Sequence, residues 1–157
     1  MTIEGSIVQY TVDVEIDENS NQVIRETWRN QDGEIDRLND APAVTNYCPI
    51  SGKPVRLKWM RNNQIHRDGD KPAIMRFDPD TGAEIVRGYW KDGKAHRPEN
   101  QPQATYRSPE GSIVRRGFFV AGMRHRTDGP AIEQFDEKTG APKRVEFWLD
   151  NLRVEPF

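Results

Sequence analysis

The chain has 157 residues, of which 34% are hydrophobic and 31% charged, with a formal net charge of -2 and one cysteine, Cys48. That length suits a single domain, 1–157, with a thin core, and the balanced charge exerts no global pull toward nucleic acid or anionic lipid. A lone cysteine excludes an internal disulfide and a cysteine-based zinc site, and no run of about 18 apolar residues is present for a membrane helix.

Met1 to Tyr10 lacks the basic-then-apolar pattern of a secretory signal, so a cytoplasmic chain is expected. Residues 5–29 read as a half unit that caps one end, with Asn19-Ser20-Asn21 as its turn. Its outer strand alternates Thr11, Asp13, Glu15 and Asp17 with Val12, Val14 and Ile16, and a charged outer edge discourages pairing with another chain. Residues 30–147 then repeat one unit. Gly52, Gly82, Gly111 and Gly140 follow one another at spacings of 30, 29 and 29. Five residues before each stands a ring, Tyr47, Phe77, Tyr106 or Phe135, and seven residues after each another, Trp59, Tyr89, Phe118 or Phe147. Cys48 is expected as a small half-buried residue beside the first of these columns. A period of this length means that each copy buries its apolar side against its neighbours.

Each unit carries two turns. The first is closed by one of the four glycines, after residues such as Asp78-Pro79-Asp80-Thr81. The second falls at Gly33, Asn63, Gly93, Gly122 and Asn151, all residue types that accept positive φ. The stretches between them are too short for a crossover helix, and they alternate with period two. Ile85, Arg87 and Tyr89 oppose Val86, Gly88 and Trp90, as Val114, Arg116 and Phe118 oppose Arg115, Gly117 and Phe119. Pro42, Pro72, Pro102 and Pro130 punctuate each copy at one place. Residues 148–157 supply only a second turn and a closing strand. The expectation is an all-β, elongated antiparallel β-meander of about ten strands, built from about four hairpin repeats with capping half-repeats and little or no helix.

The segment His125-Arg126-Thr127-Asp128-Gly129-Pro130-Ala131, flanked by Phe119 and Phe135, resembles the His-Arg-x-Asp-Gly-Pro-Ala variant of MORN-type repeats. The resemblance covers roughly residues 25 to 157. In the other copies His66-Arg67-Asp68-Gly69 is followed by Asp70-Lys71 before Pro72-Ala73, His96-Arg97 lacks the Asp-Gly, and Asp36-Arg37 replaces His-Arg. The resemblance implies β-hairpins stacked into a long single sheet, as in uncharacterised bacterial and viral proteins, some grouped with antitoxins. It implies little about activity, because such repeats are scaffolds for different surfaces.

Three evenly spaced histidines, His66, His96 and His125, invite a metal reading. Copies two strands apart sit roughly 10 Å from one another, however, whereas zinc holds its ligands at about 2 Å. Ring nitrogens bonded to turn backbone are the expectation, with no metal and no cofactor. Sixteen of the 23 basic residues are arginine, which suits planar recognition of carboxylate or phosphate. Arg67, Arg97 and Arg126 either pair internally, with acids such as Asp68 or Asp128, or form a stripe facing a partner. Met60, Trp90, Phe119 and Trp148 lie one residue beyond the second ring column, hence on the opposite face, where one side of a single layer stays open.

No nucleophile elbow, phosphate loop or metal constellation is present, so an enzyme is not expected. A membrane-surface role lacks the basic amphipathic segment it needs. What remains is a protein-binding module, a stoichiometric neutraliser such as an antitoxin, an immunity protein or a viral anti-defence protein. Its candidate contacts are Trp59, Trp90, Phe119, Trp148, Arg67, Arg97 and Arg126, with Gly52, Gly82, Gly111, Gly140 and the three histidines holding the repeat. Binding or mimicry of single-stranded nucleic acid by the same face is the alternative.

Overall fold

A computed structural model of the chain describes residues 9–98 and 100–156. The opening residues of the expected first cap, 5–8, and the last residue of the other, Phe157, lie outside them. No helix forms among the described residues.

Strands β1 (Thr11–Ile16), β2 (Val23–Arg29), β3 (Val44–Tyr47) and β4 (Pro54–Lys58) pair in order and antiparallel. The chain then breaks at Trp59 into a short hairpin, β5 (Met60–Arg61) with β6 (Gln64–Ile65). The next unit repeats this as β7 (Ile74–Phe77), β8 (Glu84–Gly88), β9 (Trp90–Lys91) and β10 (Lys94–Ala95). The third consists of β11 (Ala104–Arg107), β12 (Ile113–Gly117), β13 (Phe119–Val120) and β14 (Met123–Arg124). The fourth has β15 (Ile132–Phe135) and an uninterrupted β16 (Pro142–Leu149), whose end pairs with β17 (Leu152–Val154). Among the described residues eleven strands form one sheet in meander order, β1-β2-β3-β4-β7-β8-β11-β12-β15-β16-β17. The expected hairpin per unit is thus a long hairpin followed by a short one. The chain changes direction where Trp59, Tyr89 and Phe118 turn inward.

Local chemistry explains both turns. Gly82 N–H donates to Asp78 O (2.8 Å) at φ 76°, and the Asp78 carboxylate accepts from the Thr81 amide and hydroxyl, both 2.8 Å. Asp136 and Asp17 act alike at Thr139 and Ser20. In the short hairpins two successive residues take positive φ, as at Asn62 (46°) and Asn63 (63°), a type I′ turn whose twist matches the strands it joins. Asn63 does more than tolerate this backbone: its side-chain oxygen accepts the Ile35 N–H of the preceding unit at 2.8 Å, as Asn151 accepts that of Arg124 at 2.9 Å.

One expectation fails in the third unit. Gly111 N–H bonds Ser108 O, three residues back, where Gly52, Gly82 and Gly140 reach four residues back. The turn is one residue shorter, so Arg107 faces Ile113 in the place where Phe77 faces Glu84 and Phe135 faces Pro142. Tyr106 therefore leaves the column of Tyr47, Phe77 and Phe135 and projects from the other face. Counting back from glycine preserved sequence spacing but not strand register.

The core is a narrow line along the strand ends that carry the short hairpins. Ala43, Ala73 and Ala131 have no exposed surface, and Gln103, in their place in the third unit, donates its amide to Tyr89 O at 2.7 Å. Beside them Trp59, Tyr89 and Phe118 are buried. Each such side chain contributes about 2 to 3 kcal/mol by area removed from water, and the larger sum comes from repetition.

Candidate interaction surface

One face of the sheet is closed by an arginine ladder. Arg37, Arg67, Arg97 and Arg126 lie flat over Trp28, Trp59, Tyr89 and Phe118 at 3.9, 3.7, 3.8 and 3.9 Å from the ring centres. Each donates Nη1 to the carbonyl of the proline that follows it, Pro42, Pro72, Pro102 or Pro130, at 2.9 to 3.2 Å. Arginine suits this place because its planar group stacks and donates at once. The carboxylates arrive from the preceding unit: Asp40 takes Arg67, and Asp70 takes Arg97 through two bonds of 3.0 Å. Hydrogen bonds from Arg67 and Lys71 hold the Asp40 carboxyl far below the usual carboxylate range, and Arg97 lowers Asp70. Asn100 stands where a third such acid belongs, and as a neutral amide it bonds Thr127 instead. Arg126 accordingly pairs within its own unit, with Asp128 and Glu133. Asp68, expected on Arg67, bonds His66 at 2.9 Å and Arg61, and the first of these chiefly lowers its carboxyl.

Of the two roles open to Arg67, Arg97 and Arg126, internal pairing is what the geometry shows. Their side chains are 14, 17 and 18% exposed, and their donors face carbonyls, carboxylates and rings of the chain itself. Trp59 shares this burial, at 7% exposure, with Nε1 donating to Asp40 O at 2.9 Å. It presents no free ring.

The histidines tie one unit to the next. The Asp92 N–H donates to His66 Nδ1 (3.1 Å), the Ala121 N–H to His96 Nδ1 (3.1 Å) and the Asp150 N–H to His125 Nδ1 (3.3 Å). Each accepting ring caps the first positive-φ residue of the following I′ turn. His66 and His125 also lie 2.8 and 2.7 Å from the carboxylates of Asp92 and Asp150. Among the described residues no three His, Cys, Asp or Glu side chains are grouped to hold a metal ion.

The opposite face has a different composition. Trp90, Phe119 and Trp148 fold back over the strands, and Met60 holds the equivalent place in its unit; all four are half-buried. A Cβ on Gly88 would lie 3.4 Å from Trp90 Nε1 and one on Gly117 3.0 Å from Phe119 Cε2, so glycine makes room for both rings. Trp148 covers Glu146 instead and donates Nε1 to it at 2.9 Å.

Two residues farther along each strand the register assembles a row that crosses nine strands: Arg25, Asn46, Arg56, Arg76, Val86, Tyr106, Arg115, Gln134 and Arg144. At roughly 4.8 Å per strand it spans on the order of 40 Å. Arg25 and Arg144 meet Glu15 and Glu146. Arg56, Arg76 and Arg115 have no carboxylate within ion-pair distance among the described residues, although Arg115 lies 5.6 Å over Tyr106. Lys58, one step inward from Arg56, has its ammonium pushed down by burial and then by the charges of Arg56 and Arg25. This row was missed in the sequence, yet part of its signal was present. Arg56, Arg115 and Arg144 each stand four residues after a repeat glycine, and Arg25 four after Asn21.

No protein-family model, curated protein or solved structure matches the chain.

Proposed function

We infer that the protein is a non-catalytic binding module that neutralises another protein by covering an acidic surface on it, a role open to an antitoxin, an immunity protein or a viral anti-defence protein. The contact face is the one that carries Trp90, Phe119 and Trp148 beside the row from Arg56 to Arg144. The observation that carries this reading is the unequal treatment of the arginines. Arg67, Arg97 and Arg126 of the ladder are engaged by the chain's own carboxylates and carbonyls, whereas the exposed Arg76 and Arg115 and the half-buried Arg56 have no carboxylate of the described residues within ion-pair distance. Rings beside arginine are the composition enriched at protein interfaces. The resemblance of the repeat to MORN-type units belongs to the same proposal, as a rigid scaffold that acts in the cytoplasm without turnover. No helix of the described chain is long and apolar enough to cross a membrane.

Affinity capture from the source cell tests it, with wild-type protein beside Arg76→Glu, Arg115→Glu and the ladder variant Arg97→Lys. A specific protein held by wild type and by folded Arg97→Lys, but lost with both charge reversals, supports the reading. Equal capture by all four overturns it. A capture that nuclease abolishes, with affinity falling steeply as salt rises, substitutes the nucleic-acid alternative, which the unpaired arginines beside Tyr106 would also serve.

A further inference from the structure

We propose that Arg56 and Arg76 are the anchor of this face, a two-arginine site for a carboxylate side chain that a partner protein presents next to an apolar one. The inference rests on the binding role proposed above and adds the chemistry of the partner's key residues.

Arg56 and Arg76 lie directly opposite one another on β4 and β7. Like charges in that relation destabilise a strand pair, so an unneutralised pair at the centre of a sheet is costly unless something answers it. Nothing within the described chain does. Arg56 Nε is buried without a hydrogen-bond partner, and Asn46 stands across the strand from Arg56 as a further planar donor. Two guanidinium forks side by side match a carboxylate, which accepts several N–H donors at once.

A groove of about 650 Å³ opens beside the pair at the turn end of the strands, lined in part by Asn46, Cys48, Ile50 and Pro79. It falls in the size range of sites that take a small ligand or a few side chains. Ile50, at the turn that forms its rim, is a large aliphatic residue left 89% exposed. An anion alone would not use such walls; an acidic residue with an apolar neighbour uses both. A phosphate chain fits less well, because Asp80 also lines the groove and the row continues from Arg76 to Val86, which breaks the charge.

Cys48 lines the same groove and is the chain's only cysteine, so it serves as a native reporter. Hydrogen bonds from the Ser51 hydroxyl and amide lower its thiol from the ordinary value, which favours reaction with a maleimide near neutral pH. The rate of that reaction is measured with four probes: a blocked peptide of alternating Glu and Leu, its Gln-for-Glu counterpart, inorganic phosphate and a short oligothymidylate. The acidic peptide should slow labelling, the amide peptide should not, and Arg56→Gln/Arg76→Gln should weaken protection by about tenfold or more. The same double variant should unfold at an equal or higher temperature than wild type, because a repulsion has been removed. No protection at millimolar acidic peptide, equal protection by the amide peptide, stronger protection by phosphate or oligothymidylate, or a clear loss of stability in the double variant overturns the site. Capture of the natural partner separates the two levels. If Arg115→Glu loses the partner while Arg56→Gln/Arg76→Gln keeps it, the anchor is wrong and the face stands; if both keep it, the face is wrong.

Discussion

Replacing Arg97 with lysine keeps the charge and removes the plane, which isolates what the ladder contributes. In the native chain the guanidinium stacks on Tyr89 at 3.8 Å, donates to Pro102 O at 3.1 Å and forks onto Asp70 through two 3.0 Å bonds. The stack is worth about 1 kcal/mol at a site this sheltered. Losing the bond to a part-buried carbonyl costs about another 1 kcal/mol. The ion pair adds only about 0.5 kcal/mol, because Asp70 is well exposed, and lysine retains part of that. The expected loss is therefore about 2 kcal/mol, which for a chain of this size lowers Tm by about 4 to 8 °C. Thermal unfolding followed by tryptophan fluorescence measures it, and binding per folded molecule should stay unchanged. A variant as stable as wild type that has lost its partner would refute the assignment of the ladder to structure.

Three other substitutions probe the remaining devices. Asn63→Ala leaves at φ 63° a residue that tolerates this backbone less well than asparagine and deletes the acceptor for Ile35 N–H, for a loss of about 2 kcal/mol in urea unfolding, whereas Asn63→Gly relieves the backbone and should cost about 1 kcal/mol. Gly117→Ala should lose about 1 kcal/mol because its Cβ crowds Phe119 at 3.0 Å, Phe119→Leu should recover most of that, and Gly88→Ala should stay within about 0.5 kcal/mol of wild type. Asp40, Asp70 and Asp68 have carboxyls lowered in the folded chain, so they stabilise it above the unfolded value of about 3.9 and lose that contribution as pH falls further. Asp40→Asn should lower stability at neutral pH and flatten the acid limb of a Tm-against-pH series; a parallel shift at every pH would show that the ion pair with Arg67 and Lys71 is not the cause.

Sequence and structure agree where one residue answers to one local constraint. Gly82 and Asn63 sit at positive φ in the turns, and the alternation of Arg87 and Tyr89 with Gly88 and Trp90 gives the two faces. They differ where the answer depends on what lies across a strand. Asp68 is next to Arg67 in the chain, but Asp40 is next to it in space, because the loop that follows Arg37 packs against the following unit. Tyr106 stands five residues before its glycine as Phe77 does, but a turn one residue shorter puts it on the other face, opposite Arg115. Trp59 resembled Trp90 as an available ring; one is capped by Arg67 and the other lies over a glycine.

Period, turn chemistry and strand alternation are properties of neighbouring residues, so the amino-acid order alone determined a meander of stacked hairpins with little room for helix. Which arginines are spent on the protein itself and which face outward was decided only in three dimensions. Arg56 belongs to the strand after one turn and Arg76 to the strand before the next, at unrelated places in the repeat, and hydrogen-bonded register alone sets them side by side. A pairing rule that acts across strands leaves no fixed spacing along the chain.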